Sequence, residues 1–149
     1  MSINQINSGS LNLDFTIQGI ASYFNIIDFQ GDQINSNALF ANSMPLMLLE
    51  HDWQKIIGTW HGLEMNEQNL FAHGTLDSTN EFGNQAIDMI RHAQLGGLSI
   101  GYVCHDFDMC DGIRIIKRAE IVEISLVKQP ANQHALIDSL TATFYKTNI

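Results

Sequence analysis

Gly96-Gly97-Leu98-Ser99-Ile100-Gly101-Tyr102 sets one serine among glycines, between a segment with helical spacing and one that favours extended structure. Residues 97–101 satisfy G-x-S-x-G, a pattern that marks a nucleophile elbow only when a strand precedes the serine and a helix follows it. Here the order is reversed. Upstream, Ser78-Thr79-Asn80-Glu81 has the spacing of a capping box, and Phe82, Ala86, Met89 or Ile90, and Ala93 recur at helical intervals until Gly96 stops the helix. Downstream, 98–104 favours extended structure. Ser99 therefore opens a strand, and the elbow reading is rejected.

Working outward, the period-two alternation that marks a half-buried strand dominates. Leu11, Leu13, Phe15 and Ile17 alternate with polar residues, and the strand continues past Gly19 to Tyr23 with a bulge or bend. Residues 25–43 lose periodicity and read as a loop or loosely helical crossover. The apolar run Leu46-Met47-Leu48-Leu49 leads into Glu50-His51-Asp52-Trp53. A second run over 56–63 and the alternating segment 70–76 form an antiparallel pair joined through 65–69. After a turn over 105–112 with three aspartates, 113–127 reads as a long strand, and Asn132 caps a last helix carrying Leu136, Leu140 and Phe144 on one stripe. Many short strands with two helices predict a mainly antiparallel β domain, closed or nearly closed as a barrel with helices outside. Residues 1–10 are read as a flexible arm and 11–149 as a single domain.

Composition bounds the function. At 149 residues and 45% hydrophobic content, the chain can bury one core. It has neither an apolar run near the ~18 residues of a membrane span nor the pattern of a signal peptide, so a cytoplasmic protein without a membrane partner is expected. Its net charge is −9, from 16 acidic and 7 scattered basic residues, which argues against nucleic acid as the main partner. Cys104 and Cys110 read as ordinary thiols, since their spacing suits neither a zinc site nor a disulfide in a reducing compartment.

Three residue types carry complementary chemistry. Ser99 is a nucleophile only if a base removes its proton. Of the six histidines, His51 stands at the end of a buried strand, whereas His92 and His134 fall on the two predicted helices. Glu123 interrupts Ile121-Val122-Glu123-Ile124-Ser125-Leu126-Val127, where an unpaired carboxylate facing the core is costly. It either faces solvent or has a partner such as a histidine N–H, and the apolar company of Ile121 and Val127 on its face favours the partner.

In this order the chain resembles the prohead maturation proteases of tailed bacteriophages with the HK97-type capsid system. The blocks that carry the resemblance are Leu48-Leu49-Glu50-His51-Asp52, Ile57-Gly58-Thr59-Trp60, Gly74-Thr75-Leu76, Gly97-Leu98-Ser99-Ile100-Gly101-Tyr102, Glu123-Ile124-Ser125-Leu126-Val127, and Pro130-Ala131-Asn132 with Ala135. The resemblance implies a serine protease with the fold of the herpesvirus assemblins, a β-barrel ringed by helices. It matches Ser99 to the nucleophile, His51 to the general base and acid, and Glu123 to the orienting acid, with His61, His73 and His105 as the other candidates for that third place. Backbone amides at Ile100 and Gly101 are the expected oxyanion region. No metal or organic cofactor is required. The implied substrates are capsid protein and scaffold segments, and the enzyme itself, inside the prohead in the host cytoplasm, with homo-oligomerisation open. A non-catalytic capsid-assembly module of the same fold and a small esterase-like hydrolase are the competing readings.

Overall fold

The computed structural model describes residues 11–132 and 134–146. The expected arm over 1–10 lies outside them. Among the described residues nine strands and one helix follow in the order β1 (Leu11–Tyr23), β2 (Asp32–Ile34), β3 (Leu39–Phe40), β4 (Leu46–Leu49), β5 (Asp52–Met65), β6 (Asn69–Leu76), α1 (Glu81–Arg91), β7 (Gly97–Cys110), β8 (Ile113–Val127) and β9 (Ile137–Lys146).

All nine strands belong to one curled sheet. β8 is its hub. On one side it pairs antiparallel with β7; on the other it takes β2, β3 and β4 in turn, all parallel. From β4 the sheet runs through β5, β6 and β1 to β9 by antiparallel pairs. Among the described residues β7 and β9 do not pair, and an isolated bridge from Gly97 to Leu136, just before β9, is what links the two edges, so the sheet is a half-barrel left open between them. This corrects the closed barrel, and the three parallel pairings make the sheet mixed.

The sequence explains why β8 is central. From Ile121 to Val127 nearly every side chain is buried, as expected of a strand covered on both faces. Trp60 of β5 packs into the same core and donates its indole N–H to the Ile124 carbonyl at 3.1 Å. Burial of each such large side chain contributes roughly 1.5–3 kcal/mol.

The elements differ from the sequence reading where local signals compete. The 70–76 pair and the Gly19 irregularity stand: β5 and β6 are antiparallel, and β1 shifts register at Gln18/Gly19 against β9. The helix begins later than the capping box suggests. Asn80 is the N-cap, its side chain accepting from the Gly83 N–H at 2.8 Å, and the helix stops at Arg91 rather than Gly96. The second helix is absent: 137–146 is β9, which pairs antiparallel with β1, so one helix flanks the sheet among the described residues. The aspartate-rich 105–110 is not a turn but the far half of β7; Asp111-Gly112, both left-handed, makes the hairpin turn to β8. Residues 25–43 contain two short strands where no periodicity was visible, since three residues are too few to show one.

Candidate active site

β4 ends at Leu49, and β5 begins at Asp52, so Glu50 and His51 form a two-residue hairpin loop. Both have left-handed backbone, φ 52° and 59°, as a type I′ turn requires. Such turns favour Asn and Gly; a glutamate and a histidine there are strained and persist only where surrounding contacts hold them. These contacts are present. The Glu50 N–H donates to the Leu126 carbonyl at 2.9 Å, Glu50 Oε1 accepts from the Lys128 N–H at 2.5 Å, and the His51 N–H donates to Ser125 Oγ at 3.0 Å.

The imidazole of His51 turns back over β8, where its Nδ1 meets Glu123 Oε1. Glu123 is 2% exposed, and its other oxygen accepts the Ser125 hydroxyl at 2.6 Å. The buried carboxylate has therefore found the histidine partner that its apolar surroundings demand. Glu123 bonds hold Nδ1, which leaves Nε2 as the free nitrogen of a side chain 42% exposed. The hydrogen bond to Glu123 holds the His51 pKa above the usual histidine range, with burial opposing it and the nearby Glu50 charge adding to it.

Ser99 comes from the opposite edge of β8. In the β7–β8 register it faces Ser125, and Gly101 faces Glu123. Paired residues on one face of an antiparallel pair lie about 5 Å apart, so Ser99 and His51 flank Ser125 from the two sides. The two serines differ in availability: Ser125 is fully buried with its hydroxyl committed to Glu123, while Ser99 is 4% exposed and borders a small cleft. No hydrogen bond joins Ser99 to His51 among the described residues; such bonds are often long without substrate and tighten when it binds.

Gly101 has a packing reason to be glycine. A Cβ at that position would lie 2.8 Å from both Cγ and Cδ of Glu123 and closer still to Oε1. The missing side chain is the space that the carboxylate occupies. Ile100 lines the cleft, and its amide has a direction. The Leu98 N–H donates away from β8, to the Ala135 carbonyl at 3.0 Å, and along a regular strand alternate N–H groups point the same way. The Ile100 N–H hence points away from β8 as well.

The other histidines stand apart from this cluster. His61 Nε2 bonds Thr75 Oγ1 at 2.7 Å, the His73 ring lies against Gly62, and His105 packs on Phe40. Sequence reasoning missed Ser125, which sits in the block around Glu123 and on its face, but whose type alone says nothing of a partner. It also missed the wall of the cleft. There, buried Asp32 accepts two bonds from Arg114, at 2.8 and 2.7 Å, and one from the Tyr102 hydroxyl at 2.5 Å. The Arg114 guanidinium holds Asp32 below the usual carboxylate range, and burial with the Asp32 contact pushes Tyr102 up. Cys104 and Cys110 are free thiols.

Comparison with known proteins gives the family and the fold. A family model described as caudovirus prohead serine protease matches residues 3–148. The prohead protease of Escherichia phage T5 is 33% identical over 154 residues, spanning 87% of this chain and 71% of that protein. Two solved structures share the fold. The KSHV protease in complex with a hexapeptide phosphonate inhibitor superposes with a TM-score of 0.58 at 14% identity, covering 88% of this chain and 64% of that one. The varicella-zoster virus protease gives 0.53 at 11% identity, covering 90% of this chain and 65% of that one. The chain thus spans just under two thirds of the length of each viral protease.

Proposed function

The chain belongs to the caudovirus prohead serine protease family and is a serine protease, and from that premise we propose that Ser99, His51 and Glu123 cleave capsid protein and scaffold segments, and the enzyme itself, inside the assembling prohead. The observation that carries the assignment is the buried Glu123 on His51 Nδ1, with Ser99 across the adjacent strand pair on the same face. Membership of a protease family sets aside the non-catalytic assembly module and the small esterase.

Ser99 Oγ attacks the scissile carbonyl as His51 Nε2 takes its proton; the C–N bond then breaks, and His51 returns the proton to the leaving amine. Water repeats the cycle on the Ser99 ester and releases the acid. Glu123 keeps the proton on Nδ1 and stabilises the imidazolium formed in between. General base action of this kind contributes roughly 10²–10⁴-fold. The Ile100 amide, on the side of β7 away from β8, is the better oxyanion donor of the two expected, and such a donor contributes about 3–4 kcal/mol. The room at Gly101 serves Glu123 instead.

Because His51 acts as a base only when neutral, kcat/KM should rise with pH through its raised pKa, giving an acid limb above the ordinary value of about 6.5. Glu123→Gln should move that limb down; a limb unmoved in this variant would contradict the pairing. The sign for stability is opposite: the pair stabilises the fold most below about pH 6.5, and that contribution fades as pH rises through the His51 pKa in the folded state.

Co-expression with the major capsid protein of its phage should yield a capsid protein shortened at a defined peptide bond, read by intact mass and terminal sequencing. Capsid protein left full-length by an enzyme that hydrolyses other peptides would overturn the substrate reading.

A further inference from the structure

A ring of hydrogen bonds closes on His51. Its backbone N–H donates to Ser125 Oγ at 3.0 Å, Ser125 donates to Glu123 Oε2 at 2.6 Å, and Glu123 Oε1 meets Nδ1 of the same histidine. Ser125 has one proton and is fully buried. With the His51 N–H directed at its oxygen, that proton is free to go only to Glu123. A hydroxyl that donates to Oε2 occupies that oxygen as an acceptor and steadies the carboxylate, and an ionised Glu123 accepts at Oε1 as well, which places the proton of the pair on Nδ1. The same hydroxyl anchors the left-handed residue of the Glu50-His51 loop, a conformation that glycine would adopt without such help. We propose that Ser125 is a positioning residue, aligning the His51 imidazole by holding the second oxygen of Glu123 and the His51 backbone at once. It touches no substrate and acts through those two residues.

This inference rests on the Ser99–His51–Glu123 reading, so its test has one arm that depends on that reading and one that does not. The first arm measures phosphonylation of Ser99 by a fluorophosphonate across pH in Ser125→Ala and Ser125→Cys. Cysteine nearly preserves the buried volume and is only a weak donor, so it carries the test if alanine compromises folding. Both variants should be labelled about 10- to 100-fold more slowly, the scale on which lost outer partners weaken a site, and their acid limb should move down as Glu123 loosens from His51 with Glu50 still in place. The second arm observes the low-field Nδ1 proton of His51 by NMR in a Ser99→Ala background, where no catalysis is needed; Ser125→Ala should broaden or abolish it. A folded Ser125→Cys labelled at the wild-type rate with an unmoved limb overturns the proposal, even with a lowered Tm. So does a Nδ1 proton signal unchanged by Ser125→Ala, whatever the outcome of labelling.

Discussion

Ser99→Ala and His51→Ala should each lower peptide-bond hydrolysis by on the order of 10⁴-fold or more while leaving the fold intact. The expectation of a preserved fold follows from position. Ser99→Ala removes one oxygen at the border of the cleft, from a hydroxyl that holds neither the ring around Glu123 nor the turn at Glu50. His51→Ala keeps the backbone N–H that bonds Ser125 but leaves the buried Glu123 without its nitrogen partner, so it should also lower Tm. A unit that acts jointly is lost once. The double variant should therefore be little worse than either single one, whereas independent contributions would multiply. Single-turnover cleavage, normalised by thermal unfolding, separates these effects. Wild-type cleavage by a folded Ser99→Ala would remove the nucleophile from the account.

Gly101→Ala should cost about 100-fold or more in kcat, because displacing an acid that orients the base misplaces the reacting nitrogen by the ångström or so that geometry-dependent catalysis does not tolerate. A methyl at Gly101 claims the volume now filled by Glu123 from Cγ to Oε1. The carboxylate must then swing away, losing both His51 Nδ1 and Ser125 Oγ in a site that is 2% exposed. Losing a buried charge's partners also destabilises the fold, so kcat per folded molecule is the quantity to compare. The control is a double-mutant cycle. With Glu123→Ala already made, the space is open, and adding Gly101→Ala should change little further. Equal penalties with and without Glu123 would mean that Gly101 matters for the strand itself rather than for the acid.

Much of this was legible in the sequence because it depends on local periodicity. Alternation located β1 and β6, apolar runs located β5 and β8, and an acid inside the apolar run 121–127 favoured a buried partner. His51 was legible because the apolar run 46–49 stops beside it. Tertiary pairing was not legible. The stripe of Leu136, Leu140 and Phe144 satisfies helical spacing, yet the chain there forms β9, because the open edge of β1 offers a full ladder of hydrogen bonds that a short isolated helix does not match. The parallel pairing of β2 and β3 with β8 leaves no local mark in 25–43, nor does that of β4 in the run 46–49, so a mainly antiparallel sheet, closed or nearly closed, was expected. Gly101 was visible as a glycine beside a serine, but its reason lies on another strand: only the register of β7 against β8 shows that it makes room for Glu123.

The central claim is that Ser99, and not the neighbouring Ser125, is the nucleophile that His51 activates. Its most direct test is to treat the protein with a fluorophosphonate and map the adduct by peptide mass spectrometry, with and without His51→Ala. A single phosphonylated serine is expected at position 99, formed roughly 10²–10⁴-fold more slowly when His51 is alanine, in keeping with its work as general base. An adduct on Ser125, or one on Ser99 that forms equally fast without His51, would contradict it.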